Sequence, residues 1–461
     1  MTRIFGHYVA LEMLVLWVVE FVLCGAAIYV LLAPPAALGS GWIDIGTANH
    51  AALLALTIGL TSIAIGLYRP EICLQTRRLL FNAGIAGLVA FLAVLAVGRL
   101  VGIDTDALFG GSPLRALRAL LAGILFLFAT RLAFSLAMRL NLLARRVLIF
   151  GAPQDAARTE AAIRDMRRGC FSVVGIVSPQ QTAEDGTPRS GAALLAPASL
   201  RRRRVWGVIV TSEARGSVPQ EELLSGKLAG IHIFGDVEFR EQQLHRIDLD
   251  HLEPDWMLFA DGLSRGRLER LVRRVFDVST SLALLIGTLP VMLLTAALIR
   301  LDSPGPVLYR QERVGLHGRR FTLLKFRSMR QDAELRGPIW AAQRDPRVTR
   351  VGAFIRRCRI DELPQLFNVL RGEMAFVGPR PERPHFVDQL AEVVPFYRDR
   401  ARVKPGITGW AQVNYPYGAS IEDARQKLSY DLYYVKRRSL FLDILILFAT
   451  VRVILFQEGA R

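Results

Sequence analysis

Two adjacent carboxylates, Asp361 and Glu362, are the residues of this chain that most directly suggest chemistry. Four arginines lie close to them in sequence: Arg356, Arg357, Arg359 and Arg371. Neighbouring positive charge favours the ionised form of a carboxyl group. An ionised carboxylate can bind Mg²⁺, or attack an electrophilic phosphorus to form an acyl phosphate. The same pair is also typical of a helix N-terminus, where acidic residues are favourable, so both interpretations stay open at this point.

Basic residues in turn-rich segments are the second chemical signal. The chain contains 53 arginines and only five lysines, and Lys325 and Lys404 stand in two such segments. Arg380 lies between two prolines, which fix the backbone and would present one guanidinium rigidly. The sequence Gly-Ile-Thr-Gly-Trp at 406–410 could bring backbone and an indole close to a flat ligand. Each signal also fits an ordinary turn, but together these cations could neutralise the charge of a transferring phosphate.

Six motifs occur in order between residues 270 and 461. They are Arg274-Val-Phe-Asp277, Lys325-Phe-Arg-Ser-Met329, Asp361-Glu-Leu-Pro-Gln-Leu-Phe-Asn368, Val377-Gly-Pro-Arg-Pro381, Lys404-Pro-Gly-Ile-Thr-Gly-Trp-Ala-Gln-Val-Asn414 and Tyr430-Asp-Leu-Tyr-Tyr434. With these motifs, the segment resembles the bacterial sugar transferases that are monotopic polyprenyl-phosphate phosphoglycosyl transferases. The apolar and α/β segments that precede it resemble the long-form subfamily, which initiates exopolysaccharide or O-antigen repeat units.

This resemblance implies a reaction and a set of site residues. A UDP-sugar, with glucose as the first expectation, would donate its sugar-1-phosphate to undecaprenyl phosphate in the presence of Mg²⁺, releasing UMP (EC 2.7.8.-). Asp361 would be the nucleophile, would carry a transient phosphosugar and would bind the metal, with Glu362 assisting. The implied substrate-binding residues are Lys325, Arg327, Gln365, Asn368, Arg380, Lys404 and Gln412.

Two positions depart from the family pattern. Leu289-Pro290 stands where members often have Ser-Pro, so the proline that breaks the membrane helix is kept and the hydroxyl is lost. Thr288 is the expected replacement for that hydroxyl. After Asn414 the chain reads Tyr-Pro-Tyr at 415–417, where short-form members carry a phosphate-contacting arginine. We therefore expect a different donor specificity.

Composition predicts how such a site would be supported. Of the 461 residues 52% are hydrophobic, yet the formal net charge is +17 and the mean hydropathy is +0.30. This combination predicts an apolar membrane part together with a basic part that faces an anionic surface or ligand. With 38 Gly, 22 Pro and four widely spaced Cys, the chain does not fit a disordered protein, a collagen, a disulfide scaffold or a zinc site.

Four apolar segments in the first third each approach the ~20 residues that a helix needs to cross a bilayer. They are 8–33, 51–68, 79–102 and 116–138. The loop at 34–49 has no Lys or Arg, whereas the next loop carries three arginines, so the positive-inside rule predicts a cytoplasmic N-terminus. We predict a four-helix transmembrane domain over 1–144, in a multi-pass protein of the bacterial inner membrane. Within it, Glu20 and Arg131 are expected to form an ion pair.

Residues 145–262 are predicted to form a cytosolic Rossmann-like module. An apolar run at 146–150 leads into Gly151, a helix-like stretch covers 156–168, and further apolar runs follow at 173–177 and 205–211. Strands that alternate with helices indicate a parallel α/β sheet. Pro153 and Gln154 stand where the dinucleotide-binding fingerprint requires glycine, which favours a degenerate fold. Regulation, or formation of a homodimer, is its expected role.

Residues 263–461 are predicted to be a mostly helical catalytic domain with a re-entrant membrane helix at about 281–299. That apolar segment contains Gly287 and Pro290 and is flanked by arginines on both sides, which disfavours translocation of either flank. The alternative is a fifth full span, which would place the catalytic domain outside the cell. The run at 440–456, interrupted by Asp443 and Arg452, fits a helix in the membrane plane. The predicted fold class is therefore membrane α plus α/β.

Two other functions were weighed against the transferase. A membrane-bound nucleotide-sugar dehydratase would need the complete glycine fingerprint and a Tyr-x-x-x-Lys pair, and no tyrosine lies four residues before a lysine. A non-catalytic scaffold or regulator of polysaccharide assembly would not need Lys325, the dyad and Arg380 together. The expected partners are thus a UDP-sugar, undecaprenyl phosphate and membrane lipids, and no nucleic acid.

Overall fold

The structure is a computed structural model, and it describes residues 2–4, 7–9, 11–33, 44–68, 76–101, 113–140, 142, 144–165, 171–178, 194–252, 254, 256, 260, 262–263, 266–330, 346–415, 418 and 420–455. The chain divides into two compact units. One contains residues 1–2 and 8–244, and the other contains residues 3–7 and 245–461. Two short strands, β1 (Thr2–Ile4) and β2 (His7–Val9), precede the first helix.

Four helices follow in the first unit, one in each predicted apolar segment. They are α1 (Leu11–Leu32), α2 (Ile45–Ala64), α3 (Thr76–Val101) and α4 (Pro113–Arg139). Helix α1 packs against α2 and α4, and α3 packs against the same two helices. Within the described residues of this unit, Met13–Leu32 and Leu117–Met138 are long and apolar enough to cross a membrane, and Phe81–Val94 is a shorter apolar stretch. Asn49 and His50 make the start of α2 more polar, and the count of four spans stays a prediction.

The predicted ion pair between Glu20 and Arg131 is confirmed. Arg131 Nε lies 2.5 Å from Glu20 Oε1, and Nη2 donates to Glu20 Oε2 at 2.9 Å. The Tyr68 hydroxyl donates to the same Oε2 at 2.5 Å, while the Arg131 guanidinium lies over the Tyr68 ring, 3.9 Å from its centroid. Both charged side chains are buried. The pair therefore joins α1 to α4 through charges that satisfy each other away from solvent.

The rest of the first unit contains a parallel sheet, as predicted. In the described residues its strand order is β4-β3-β5-β6, and all neighbours are parallel. The strands are β3 (Arg145–Phe150), β4 (Phe171–Val177), β5 (Gly207–Val210) and β6 (His232–Gly235). The helices are α5 (Pro153–Asp165), α6 (Pro197–Arg202), α7 (Gln220–Leu228) and α8 (Asp236–Leu244). Apolar side chains of β3 and β5 point alternately into two cores, one on each face of the sheet. The nucleotide-binding ancestry of this module stays a prediction.

Gly151 ends β3 at a place where no side chain fits. A Cβ atom at this position would lie 2.2 Å from Thr211 Oγ1, because the ends of β3 and β5 meet there. The glycine recognised in the sequence therefore serves close packing between two neighbouring strands.

The second unit is mostly helical and includes two small sheets. Its helices are α9 (Arg267–Asp302), α10 (Arg350–Arg357), α11 (Gln365–Arg371), α12 (Pro384–Val393), α13 (Trp410–Asn414), α14 (Ile421–Arg437) and α15 (Leu440–Leu455). Its strands are β7 (Leu308–Val314) and β8 (Arg320–Phe326), which form an antiparallel hairpin, and β9 (Ala375–Val377) and β10 (Gly406–Thr408), which pair in parallel. Leu366, Val377, Tyr433 and Leu442 belong to the main core.

The boundary between the units lies earlier than the predicted residue 262. Ile247 N donates to Ser429 O, and Gly262 N donates to Lys436 O. Trp256 is buried in the core of the second unit. The segment 245–262 thus belongs with the catalytic part of the chain, because its main-chain hydrogen bonds and its apolar side chains go there.

The predicted re-entrant segment lies within α9, a single helix of 36 residues with Pro290 inside it. A proline removes the hydrogen bond to the carbonyl four residues earlier, here that of Ile286. The Thr288 hydroxyl donates to Leu284 O at 2.7 Å instead. The expectation that Thr288 replaces the missing hydroxyl at the break is therefore wrong for the freed carbonyl. The helix is long and apolar enough to cross a membrane, and its re-entrant course stays a prediction.

The charged residues of α15 face the protein. Asp443 pairs with Arg273 of α9 and accepts a hydrogen bond from the Tyr434 hydroxyl at 2.7 Å. Arg452 Nη2 donates to Val413 O at 3.3 Å. The interruptions of this apolar run thus mark the helix face that packs on the second unit.

Candidate active site

Asp361 and Glu362 lie in one turn of 3₁₀-helix, Ile360–Glu362, between α10 and α11. Arg359 precedes this turn with a φ of 58°, in the left-handed region that a non-glycine residue seldom adopts. It reverses the chain directly after α10, and α11 begins immediately beyond Pro364. Both carboxylates are buried. The interpretation as a solvated charge cluster therefore does not apply.

Glu362 is held by two cations. Arg380 Nη2 donates to its Oε1 at 2.8 Å, and Lys325 Nζ donates to the same oxygen at 3.0 Å. Burial disfavours the carboxylate, but Arg380 and Lys325 outweigh it and hold the pKa of Glu362 well below its usual range. This carboxylate is ionised and fixed in direction.

Asp361 is in a different state, although it is the next residue. Its Oδ2 lies 3.9 Å from Lys325 Nζ, and no hydrogen bond from any described residue holds its carboxylate. Burial raises the pKa of Asp361, Lys325 opposes this, and the charge of Glu362 adds to it. The expectation that positive charge keeps both carboxyls ionised thus holds for Glu362, while Asp361 shifts in the opposite direction. Asp361 is the more basic and the less constrained of the two.

Asn368 links the dyad's helix to the strand that carries Lys325. Its Oδ1 accepts a hydrogen bond from Leu324 N at 3.1 Å, and its Nδ2 donates to Thr322 O at 2.8 Å. Both partners belong to β8, and Asn368 is completely buried. The structure therefore gives Asn368 a role in placing Lys325 beside the dyad.

The remaining predicted substrate-binding residues are dispersed. Arg327 donates to the carbonyls of Ser303 and Pro304 at the end of α9. Gln365 is buried in the first turn of α11. The Lys404 side chain points towards Gly372 and Arg274.

Gln412 Nε2 donates to Ile407 O at 3.1 Å, and its side chain lines a cavity that also contains Glu362. Of the motif departures, Tyr415 lines the same cavity, while Pro416 and Tyr417 lie outside the described residues.

Three further charged residues at the site were not predicted. Arg400, Lys427 and Asp431 line the cavity that contains Glu362, and Arg400 Nη2 lies 2.7 Å from Asp431 Oδ2. Burial raises the pKa of Asp431 to about 6 in spite of Arg400. Asp431 belongs to the Tyr430–Tyr434 motif, so its presence in that motif was the available signal.

Two cavities meet at Arg380. The larger, of about 380 Å³, has a mostly polar wall that includes His317, Arg320, Arg398 and Arg402. The smaller, of about 200 Å³, contains Glu362 and Arg380 on one side and Leu284, Val453 and Ile454 on another. Arg380, Glu382 and Arg400 line both. The site can therefore receive a polar molecule and an amphiphile next to the same pair of acids.

The donor set fits a lightly coordinated cation. Within the described residues, no three His, Cys, Asp or Glu side chains come together to hold a metal. Glu362 is already engaged by Lys325 and Arg380. Asp361 alone offers a carboxylate without a hydrogen-bond partner, and Mg²⁺ typically takes one or two carboxylates together with waters and substrate phosphates. Asp361 is the residue that fits this ion.

Residues 268–457 match the family model described as bacterial sugar transferase. The exopolysaccharide production protein PSS of Rhizobium leguminosarum bv. phaseoli is 42% identical over 193 residues, which make up 95% of that protein and 40% of this chain. The chain belongs to the bacterial sugar transferase family. The dyad, Lys325, Arg380 and Asp431 all lie inside the matched segment.

Two relatives of this sugar transferase match over longer stretches. The UDP-N-acetylgalactosamine-undecaprenyl-phosphate N-acetylgalactosaminephosphotransferase of Aeromonas hydrophila is 45% identical over 234 residues, 51% of this chain and 55% of the relative. The undecaprenyl-phosphate glucose phosphotransferase of Komagataeibacter xylinus is 36% identical over 328 residues, 69% of this chain and 60% of the relative. The chain thus spans somewhat more than half the length of these two proteins.

Proposed function

We propose that this protein transfers sugar-1-phosphate from a UDP-sugar to undecaprenyl phosphate, and so initiates an exopolysaccharide or O-antigen repeat unit. One observation carries the proposal. A buried pair of acids, one clamped by two cations and one lacking a hydrogen bond, lies where a polar cavity and a partly apolar cavity meet. The names of the relatives from Aeromonas and Komagataeibacter support this substrate class.

In the first step an oxygen of Asp361 attacks the phosphorus that bears the sugar. The bond from this phosphorus to the bridging oxygen breaks, and UMP leaves with that oxygen and the bonding electron pair. Asp361 is left as a mixed anhydride carrying the sugar phosphate. Lys325 and Arg380 neutralise charge on the phosphate oxygens, and Glu362 holds both cations in place.

In the second step a phosphate oxygen of undecaprenyl phosphate attacks the same phosphorus. The bond from phosphorus to Asp361 breaks and returns the carboxylate, and the product is undecaprenyl diphosphate sugar. Mg²⁺ bound at Asp361 and the substrate phosphates would supply additional charge neutralisation. No proton needs to be removed, since both nucleophiles react as anions.

The two cavities fit the two substrates. A nucleotide is polar and anionic, and the wall of the larger cavity is mostly polar and rich in arginine. A polyprenyl phosphate has a charged end and an apolar chain, and the smaller cavity places Arg380 and Lys427 opposite Leu284 and Ile454. We assign the nucleotide to the larger cavity, and the acceptor phosphate with its first isoprenyl carbons to the smaller one.

The sugar itself is the least determined part of the proposal. Glucose is the first candidate donor, and it appears in the name of the relative from Komagataeibacter, whereas the relative from Aeromonas is named for N-acetylgalactosamine. Both are UDP-linked hexoses, so UDP-glucose and UDP-N-acetylgalactosamine are the donors to compare first.

The proposed setting is the cytoplasmic face of the bacterial inner membrane. Four spans formed by α1–α4, a re-entrant α9 and an in-plane α15 would keep the second unit on the side where UDP-sugars are available. Labelling of single cysteines introduced at exposed Arg398 and at exposed Lys227 would test this. Both should react only after the inner membrane is opened, and reaction of the first in intact spheroplasts would contradict the proposed orientation.

The decisive experiment separates the two half-reactions. Purified full-length protein should exchange labelled UMP into UDP-sugar without any lipid, and Asp361→Asn should abolish this exchange. Mass spectrometry should find the sugar phosphate on the peptide that contains Asp361. Asp250→Asn, at an exposed acid outside both cavities, is the matched control.

The contrary outcomes are distinct. Exchange by Asp361→Asn at the parent's rate would remove Asp361 as the nucleophile. UMP release that requires the lipid would indicate direct transfer between substrates. Failure of every UDP-sugar to release UMP, with or without lipid, would favour a scaffold or regulator of polysaccharide assembly.

A further inference from the structure

A second group of cations lies outside both cavities, around the C-terminal end of α11. Gly372 ends this helix with a φ of 84°. A Cβ atom placed on Gly372 would be 3.7 Å from Lys404 Nζ and 3.8 Å from Arg274 Cζ. Two positive side chains from distant parts of the chain therefore converge over one glycine. Neither of them lines either cavity.

The positive charge of this group is only partly compensated. Arg274 donates from Nη1 to Val369 O at 2.7 Å and from Nη2 to Leu370 O at 2.6 Å, and so caps α11 without meeting a carboxylate. Lys404 Nζ has no hydrogen bond or ion pair with any described residue. Arg438 is close enough to act electrostatically on Lys404, and Asp277 is the acid that attracts it. Asp277 in turn accepts a hydrogen bond from Phe376 N at 2.9 Å.

Three cations that face one partly engaged acid favour a bound anion. Burial and Arg274 lower the pKa of Lys404, which is the effect of like charges brought together away from water. All three cationic side chains are half-buried, so they are reachable from the surface. A phosphate fits this arrangement because it offers several oxygens to donors that arrive from different directions.

The surroundings favour a lipid as the source of this phosphate. Leu271 and Val275, each 60% exposed, flank Arg274 on α9, and Val272 is exposed as well. Arg274 lies seven residues before 281, where the apolar part of α9 begins, and this corresponds to about 10 Å along the helix axis. The polar headgroup zone of a bilayer is roughly 5–8 Å deep on each side. The cations thus lie at the level of headgroup phosphates when the apolar part of α9 is in the membrane.

We propose that Arg274, Lys404 and Arg438 form a binding site for the phosphate of an anionic phospholipid headgroup, separate from the catalytic dyad. The exposed Leu271 and Val275 contact the beginning of its acyl chains. The lipid would fix the height of the catalytic unit relative to the bilayer, because the same Arg274 that binds it also holds the end of α11.

Lipid binding can be measured on the delipidated full-length protein in detergent. Dioctanoyl phosphatidylglycerol should raise the thermal unfolding midpoint in a saturable way. Dioctanoyl phosphatidylcholine and sodium phosphate at equal concentrations should not. Lys404→Gln should weaken phosphatidylglycerol binding by about tenfold or more, the effect of losing one charge-assisted hydrogen bond. Lys404→Arg should restore most of the binding, and Lys227→Gln, at an exposed lysine of the other unit, should leave it unchanged.

Three outcomes would overturn the proposal. Sodium phosphate that shifts the midpoint as strongly as phosphatidylglycerol would identify a site for a soluble anion. Equal binding of phosphatidylglycerol by Lys404→Gln and the parent would place the lipid elsewhere.

The third outcome needs no substitution, so it covers the case in which Lys404→Gln does not fold. A phosphatidylglycerol with a photoreactive headgroup should cross-link peptides that contain residue 274 or residue 404. Cross-links confined to other peptides would reject the site.

Discussion

Arg400 donates a hydrogen bond from Nη2 to the main-chain oxygen of Arg380 at 2.9 Å. The side chain of Arg380 contacts Glu362 in the dyad, whereas Arg400 is anchored by Asp431 at 2.7 Å and by the Tyr397 hydroxyl at 2.8 Å. The guanidinium that reaches the acids is thus held by a second guanidinium, and that one is tied to α14. We infer that Arg400 positions Arg380 by fixing the turn at 379–381.

We predict that Arg400→Lys lowers the first half-reaction at least tenfold while the protein stays folded. Lysine keeps the charge next to Asp431 but cannot reproduce the fork that bonds Asp431, Tyr397 and the Arg380 carbonyl together. If the two arginines act in series, Arg380→Lys and Arg400→Lys should be non-additive in UMP–UDP-sugar exchange. Arg425→Lys, in an exposed pair with Asp250, is the control and should have little effect. Additive losses in the double variant would contradict a positioning role.

The pH dependence of the first half-reaction should report Asp361. Its pKa is raised by burial, and attack on phosphorus requires the ionised form, so the rate should fall as the pH drops through this raised pKa. Glu362 should not contribute a second limb, because its pKa lies below its usual range.

Two substitutions should move this limb in opposite directions. Glu362→Gln removes a neighbouring negative charge, so the pKa of Asp361 falls and the limb moves to lower pH. Lys325→Gln removes the nearest cation, so that pKa rises and the limb moves to higher pH. Both variants should be slower than the parent, and the measurement is the position of the limb in a pH profile of UMP exchange. A limb at one pH in all three proteins would assign it to another group.

The local part of the site was predictable from sequence. Asp361 and Glu362 are neighbours within one motif, and Arg380 lies between prolines that restrict its turn, so short-range spacing contained the information. Motifs that match a family bring Lys325 to the same place without any knowledge of the fold. The parallel alternation of strands and helices after residue 145 also follows from local periodicity, and it is confirmed.

The supporting interactions were not predictable in the same way. Arg400 bonds to a main-chain oxygen 20 residues away, and a carbonyl has no side-chain identity that sequence could show. Arg327 and Asn368 were expected to bind substrate because they stand in the motifs, yet their hydrogen bonds go to main-chain groups of Ser303 and Leu324. A motif therefore identified residues that matter to the site without distinguishing contact with substrate from placement of the residues that make it.

The assignment of the smaller cavity to the acceptor predicts a selective defect. Leu284→Trp places a larger side chain at its apolar wall, so the KM for undecaprenyl phosphate should rise at least tenfold. UMP exchange in the absence of lipid should change little, because the nucleotide is assigned to the other cavity. Leu293→Trp, at an exposed position of α9 outside this wall, is the matched control. A Leu284→Trp variant that loses exchange and keeps its lipid KM would reverse the assignment.

The buried pair of Glu20 and Arg131 predicts strong coupling in the first unit. Removal of one partner leaves a charge buried without compensation, which typically destabilises a protein by about 3–5 kcal/mol. Glu20→Gln and Arg131→Met should each lower the unfolding midpoint of the full-length protein markedly. The double variant should be more stable than the sum of the two losses implies, with a coupling energy of about 2 kcal/mol or more. The exposed pair of Glu160 and Arg164 on α5 provides the reference cycle, for which about 0.5 kcal/mol or less is expected. If the buried pair gives no larger coupling than this reference, the two charges do not stabilise the contact between α1 and α4.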